Sequence, residues 1–202
     1  YGMVRAWKKA KDTELPLLHG AMLSIVDPRV GHLTGGADAK GPDRGGTLEL
    51  IVYAQDHAGW SSMCELLSLS RHGQPKGSGL LHLEQVLEHP QGLVGVLDAR
   101  WPTEQAAQVA DVLSACVVQT QRLHQPQDKM WERRAVALST AIQRPMVATN
   151  RVLLHAASRR PLQDVLTCIR NRMPLHQAGR RLLPNDQRRL RSPDEMAQRF
   201  AD

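Results

Sequence analysis

Apolar runs of strand length alternate along this chain with segments of helical periodicity, and that alternation constrains the fold more than any other feature. Runs rich in Leu, Val and Ile lie at residues 15–26, 48–54, 93–97, 116–118 and 145–149. Between them apolar side chains return every three or four positions, as Trp60, Met63, Leu66 and Leu67, then Ala106, Val109, Ala110 and Leu113, then Met130, Trp131, Ala135 and Leu138. Short strands joined through single helices favour a mainly parallel sheet, open or closed into a barrel, over any all-α or all-β arrangement. Aromatic residues make up 3% of the 202, so the core has to be built from Leu, Val, Ile, Met and Ala.

Local signals sharpen the boundaries. Asp56 is placed to cap a helix over residues 57–71, Pro102 to open one at a first-turn position, and Ser192-Pro193-Asp194-Glu195 to start a terminal helix that runs to Phe200. A short helix is expected at residues 83–88 and a longer one at 128–143. Residues 27–46 are rich in Gly, Asp and Pro and predict a surface loop or a ragged hairpin. The chain opens Tyr1-Gly2, and by Met3 it is inside an amphipathic helix with Val4, Trp7 and Ala10 on one side. This reads as a start inside a domain.

The stretch from Val147 carries the chemistry of interest. Val147-Ala148-Thr149-Asn150-Arg151-Val152-Leu153-Leu154-His155 predicts a short buried strand and a polar turn. A helix follows, with Leu162, Val165, Leu166 and Ile169 at helical spacing. Strand ends that open into a loop and helix are where α/β proteins hold reactive groups.

Charge is unevenly placed. Residues 122–202 hold 16 Lys and Arg against 7 Asp and Glu, a net +9, while residues 1–121 hold 10 against 13, a net −3; together they give +6. Arginines 159, 160, 170, 172, 180 and 181 are the candidate contacts for DNA or a neighbouring domain, because guanidiniums neutralise phosphates. Cys64, Cys116 and Cys168 are far apart and odd in number, which predicts reduced thiols and no zinc pair. No window reaches the ~20 apolar residues of a membrane span, and a cytoplasmic location is expected.

Taken in series, several motifs resemble the polymerase-and-histidinol-phosphatase (PHP) domain. They are the initial Tyr-Gly and helix, the Gly-Ala strand at Gly20-Ala21, and Asp56-x-x-Gly59-Trp60-x-x-x-Cys64-x-Leu66-x-x-Leu69-Ser70. Val147-Ala148-Thr149-Asn150 and Arg160-Pro161-Leu162-Gln163-Asp164-Val165-Leu166-Thr167-Cys168-Ile169-Arg170 complete the series. The closest resemblance is to the version in bacterial family C DNA polymerases, and Arg159 to Asp164 with Pro75-Lys76-Gly77 favours the error-prone branch. The resemblance implies an α/β fold, an incomplete and distorted TIM-like (β/α) barrel. Residues 1–172 would form a partial PHP domain whose upstream strands are missing, and residues 173–202 a basic connector to the next polymerase region.

Active members of that family hold a metal cluster at the strand ends. This chain departs from their pattern, with Met22 in place of a Glu and Arg151-Val152-Leu153 in place of Asp-Val-His, and with Asp98-Ala99-Arg100 lacking the expected Cys or His. The expectation is therefore no catalytic residue, no metal ligand and no cofactor in this chain. Magnesium would belong to the palm of the parent polymerase. Implied partners are the remaining polymerase domains, DNA, the sliding clamp and other replication or repair factors, with no membrane. Two other readings stay open: a standalone metal-dependent phosphoesterase of the same superfamily, and a decayed fragment without activity. His155 and His19 are read as structural, and Asp164 as the ion-pair partner of Arg160.

Overall fold

The computed structural model describes residues 2–26, 47–75 and 78–201. The loop or hairpin expected at residues 27–46 lies outside them, as does part of the break after residue 71. In chain order the elements are α1 (Met3–Asp12), β1 (Gly20–Val26), β2 (Thr47–Ala54), α2 (His57–Arg71), β3 (Leu81–His82), α3 (Leu83–Glu88) and β4 (Leu93–Leu97). There follow α4 (Thr103–Val112), β5 (Ala115–Thr120), α5 (Asp128–Ile142), β6 (Met146–Ala148), α6 (Arg160–Asn171), α7 (Leu175–Ala178) and α8 (Pro193–Arg199). Among the described residues no helix is long and apolar enough to cross a membrane.

The strands form one open sheet in the order β3-β1-β2-β4-β5-β6. It is an incomplete, distorted TIM-like α/β arrangement whose edges, β3 and β6, do not meet. The sheet is mainly parallel with one reversed strand: β2 pairs antiparallel with both β1 and β4, while the other three pairings are parallel. Five strands therefore point one way and β2 the other. The start of β2 consequently lies at the end of the sheet where its neighbours finish, which matters for the site below.

Strand alternation divides the sheet into two faces. In β2, Leu48, Leu50 and Val52 are buried while the residues between them are half-buried. Register carries the buried face across Leu23 and Ile25 of β1, Leu93 and Leu97 of β4, and Cys116 and Val118 of β5. Helices cover that face with Met63 and Leu66 of α2, Val86 of α3, Ala106 and Val109 of α4, and Ala135 and Leu138 of α5. The opposite face carries Met22, Glu49, Ile51 and Val147, and Met22 and Val147 remain 52% and 37% exposed.

Three expectations are corrected by burial. Leu15, Leu17 and Leu18 are exposed coil before β1 and not part of a buried strand. β6 is a three-residue edge strand, mostly exposed, because among the described residues no strand pairs with its outer side. Met130 of α5 is exposed, with Ile142 taking the inward position instead. Pro102 stands one residue earlier than expected, as the N-cap of α4. The helix at α6 forms as its periodicity predicts, yet Leu162, Val165, Leu166 and Ile169 are all about half exposed or more.

The Asp-x-x-Gly-Trp motif has a structural account. Asp56 Oδ1 accepts the Gly59 N–H at 2.8 Å and so caps α2. The same turn lies against Gly92, which has a left-handed backbone with φ +65°, and a Cβ on Gly59 would collide with the Gly92 carbonyl. Gln55 N–H also donates to that carbonyl, at 2.9 Å, fixing helix to sheet. Gly59→Ala should cost about 2–3 kcal/mol of stability in urea unfolding, since the obstacle is backbone and not a movable side chain.

Two of the three free cysteines, Cys116 and Cys168, are buried. Burial pushes the Cys116 thiol up to about 11, against smaller opposing effects of the Arg144 charge and the Val117 backbone. In the unfolded chain the thiol ionises near about 8.5, so Cys116 stabilises the fold fully below that pH and loses its contribution as pH rises toward 11. The unfolding free energy from urea titrations should fall between roughly pH 9 and 11, by up to about 3 kcal/mol, and Cys116→Ala should flatten that slope.

Candidate functional site at the strand ends

The reversed β2 brings Glu49 level with the carboxyl ends of the parallel strands. Ile51 pairs with Val96, so Glu49, two residues back, stands opposite Asp98 just past the end of β4. On the other side Glu49 pairs with Ser24 of β1, one register step from Met22 on the same face. A carboxylate in an otherwise apolar strand is only 10% exposed here, and needs a cation.

Two arginines supply it. Arg151, just past β6, brings Nη2 to 2.6 Å from Glu49 Oε2, and Arg100 brings Nη2 to 3.0 Å from the same oxygen. Arg100 also grips Asp98, with Nη2 at 2.5 Å and Nε at 3.0 Å from Oδ2, while its own backbone N–H donates to Oδ1 at 2.8 Å. Burial works against the Arg100 charge, but the hydrogen bond and charge of Asp98, and then those of Glu49, outweigh it and hold its pKa above the usual arginine value. The Arg151 backbone is left-handed, with φ +43°, an uncommon state for a residue with a side chain. Its guanidinium also lies 3.1 Å from Met22 Sδ. Met22 and Arg151 therefore meet in space although 129 residues separate them.

Beside this network lies a cleft of about 310 Å³ at the strand ends. Asp98, Arg100, Gln119, Thr120, Arg151 and Arg188 line it, with Trp131 and Asp128 on the α5 side. Gln119 Oε1 accepts from Thr149 Oγ1 at 2.9 Å and from Gln121 Nε2 at 3.2 Å, so the floor is an amide network. The donor set does not fit a divalent metal cluster. Both carboxylates are held by guanidiniums, and no group of three or more His, Cys, Asp or Glu side chains stands together among the described residues.

Comparison with known proteins places the chain. It is 30% identical over 205 residues to an error-prone DNA polymerase of Caulobacter vibrioides, covering 98% of this chain and 17% of that protein. Similar proteins, also error-prone DNA polymerases, are found in Bradyrhizobium diazoefficiens (31% over 217 residues, 100% and 17%) and Pseudomonas fluorescens (32% over 203 residues, 98% and 18%). The chain is homologous to a segment of bacterial error-prone DNA polymerases. No family model matches it. The chain spans less than one fifth of the length of these polymerases.

The six candidate contact arginines are spread over the two ends of α6 and the turn after α7. Arg159 lies in the 3-10 turn before α6, and Arg170 and Arg172 lie at its far end, roughly 16 Å away along the helix. Arg180 and Arg181 are exposed in the 3-10 turn after α7, where Arg181 Nη1 is 3.8 Å from Met173 Sδ. Arg160 is tied inward, donating to the Leu183 carbonyl at 2.7 Å and lying 3.8 Å from Asp164, its expected partner. His155 is exposed beside the chain crossing at Leu154, and His19 packs edge-on against Trp60 at 5.2 Å. Glu49 was not singled out by the sequence; the signal it offered was a lone carboxylate on the polar parity of an alternating strand.

Removing Arg151 should leave Glu49 short of one cation in a nearly buried place. Arg151→Leu is expected to lower unfolding stability by about 2 kcal/mol, and Glu49→Gln/Arg151→Leu by less than that, because the larger cost is the unpaired charge. Chemical denaturation of the two variants beside the parent chain measures both.

Proposed function

We propose that this chain is the PHP-type module of an error-prone DNA polymerase and that it acts as a structural, metal-free part of that enzyme in replication or translesion repair synthesis. The observation that carries the reading is the Arg151 guanidinium 2.6 Å from Glu49, at the strand ends where a metal-dependent phosphoesterase needs its ligands. A fixed cation there neutralises the carboxylates without activating water. Homology to error-prone polymerases over nearly the whole chain supports the parent protein. The exposed stripe of Leu162, Val165, Leu166 and Ile169 supports a module that packs against further protein.

On this reading, nucleotidyl transfer and its magnesium belong to the palm of the parent polymerase, and the partners of this module are the other polymerase domains. DNA, the sliding clamp and other replication or repair factors are reached through the parent protein, in the cytoplasm. Arg159, Arg170, Arg172, Arg180 and Arg181 face DNA or the neighbouring domain, while Arg160 supports the base of α6.

Metal analysis of the chain purified from medium supplemented with zinc and manganese tests the site. Well under one metal per chain is expected, with no hydrolysis of p-nitrophenyl phosphate; stoichiometric metal overturns the metal-free reading. Sequencing the DNA on both sides of the coding segment tests the module. Polymerase sequence continuing in frame supports it, whereas a stop codon with no polymerase remnant points to a standalone or decayed protein.

A further inference from the structure

The cleft beside the Glu49 network has charges that cancel, and the hydrogen-bonding groups it leaves over are neutral amides. Asp98 and Asp128 line it with Arg100, Arg151 and Arg188, and Glu49, which holds two of those arginines, brings the balance to three acids against three bases. Arg100 and Arg151 are paired with carboxylates, and Asp128 accepts the backbone N–H groups of Leu123 and Gln125 at 2.6 and 3.1 Å. Such a lining favours neither an anion nor a cation by its net charge.

Gln119 is the central amide. It stands in β5 opposite Val147 of β6, on the sheet face that also carries Glu49, and is only 4% exposed. Its Oε1 accepts from Thr149 Oγ1 and Gln121 Nε2, whereas its Nε2 donates to nothing among the described residues. That nitrogen is not sealed off, as the buried Thr120 Oγ1 is, and Gln119 lines the cleft. A carboxamide satisfied only at its oxygen has a donor to offer a ligand. Gln121 and Gln125 line the cleft too, and among the described residues Gln121 Oε1 and the Gln125 side chain have no partner. Trp131 is the one tryptophan, tyrosine or phenylalanine among the lining residues, and its ring is partly exposed.

We infer that this cleft binds a nucleobase, held by the Gln119, Gln121 and Gln125 amides along its edge and by Trp131 on its face. A base presents neutral donors and acceptors along an edge and a flat π surface beside them. A sugar or an aliphatic amide offers the first without the second, and a phosphate gains nothing where acids and arginines balance. The volume of about 310 Å³ is at the lower end of the range of about 300–1,000 Å³ for small-molecule sites, which suits one base with its sugar. Such a site rests on the metal-free reading of the strand ends, because it takes Asp98 and Glu49 as partners of arginine.

Isothermal titration calorimetry of the full chain with each of the four deoxynucleosides, in buffer containing EDTA, tests it. Saturable binding of one nucleoside per chain is expected for at least one base, with a dissociation constant of about 0.1 mM, and none for 2-deoxyribose. The matching 5′-monophosphate should bind within about threefold of the nucleoside, because the lining carries no net charge. Trp131→Leu should weaken binding about tenfold. Gln119→Met, which keeps the length and loses the amide, should weaken it to a similar degree. Trp7→Leu removes an exposed tryptophan outside the cleft and should leave binding unchanged. Should Gln119→Met lose its circular dichroism, Trp131→Leu decides. No saturable binding by any nucleoside, equal binding of 2-deoxyribose, a monophosphate more than about threefold tighter, or undiminished binding by folded Trp131→Leu overturns the site. Zinc and manganese are titrated separately into protein freed of chelator. Stoichiometric metal overturns the metal-free reading, whereas absent nucleoside binding without bound metal overturns the nucleobase site alone. A short single-stranded oligonucleotide competed against the bound nucleoside assigns the source. Displacement at a lower concentration than the nucleoside itself needs makes the ligand an unpaired base of a DNA strand, and displacement only at a higher one makes it a free nucleoside.

Discussion

A carboxylate inside a sheet has to be neutralised, and the neutralisation of Glu49 organises the mouth of this fold. Because β2 runs against its neighbours, Glu49 arrives at the carboxyl ends of β1 and β4 rather than at the opposite edge. Arg100 and Arg151 then converge on one of its oxygens, and Arg100 spans to Asp98. Two guanidiniums and two carboxylates close on themselves with no net charge. Such a network satisfies its members, each carboxylate facing a guanidinium.

The same geometry explains why the domain is well packed on one side only. Alternation in β1, β2, β4 and β5 sends one set of side chains under α2, α4 and α5, where most are fully buried. The other set is covered unevenly: Val96 and Gln119 are buried, while Met22 and Val147 are exposed. The exposed stripes of α1, with Val4 and Trp7, and of α6 add apolar surface that a lone soluble domain seldom shows. The polymerase relatives continue well beyond the part that this chain matches.

How legible this was in the sequence varied with the range of the interaction. α2, α3, β4 and α5 followed closely from capping residues and local periodicity, as Asp56 and the stripe of Met63 and Leu66 illustrate. Burial was less legible. Leu162, Val165, Leu166 and Ile169 have the spacing of a core-facing helix, and spacing states only that the apolar residues share a face, not that anything covers it. The direction of β2 was less legible, because pattern within a strand carries no sign of its polarity. The sequence did single out Met22 and Arg151 as departures from a metal site. That they touch each other, and that Arg151 chooses Glu49, required the fold.

The net +9 of the C-terminal part divides in the same way, and the division limits what charge alone argues. Arg122, Arg144, Arg151, Arg160, Arg189 and Arg191 are engaged in tying elements together: Arg144 holds the end of α4 through Ala110 and Asp111, and Arg160 reaches the Leu183 carbonyl. Guanidiniums serve this purpose because five donors on one planar group can bridge carbonyls and carboxylates from separate segments. The last 20 or so residues, which contain little regular structure, are anchored mainly by such bonds, with Asn185 on Leu123 and Asn150 on Arg189 beside them. A count of basic residues therefore overstates the surface offered to phosphate. What remains for an external anion is set by which donors the fold leaves over, and composition does not distinguish those from the rest.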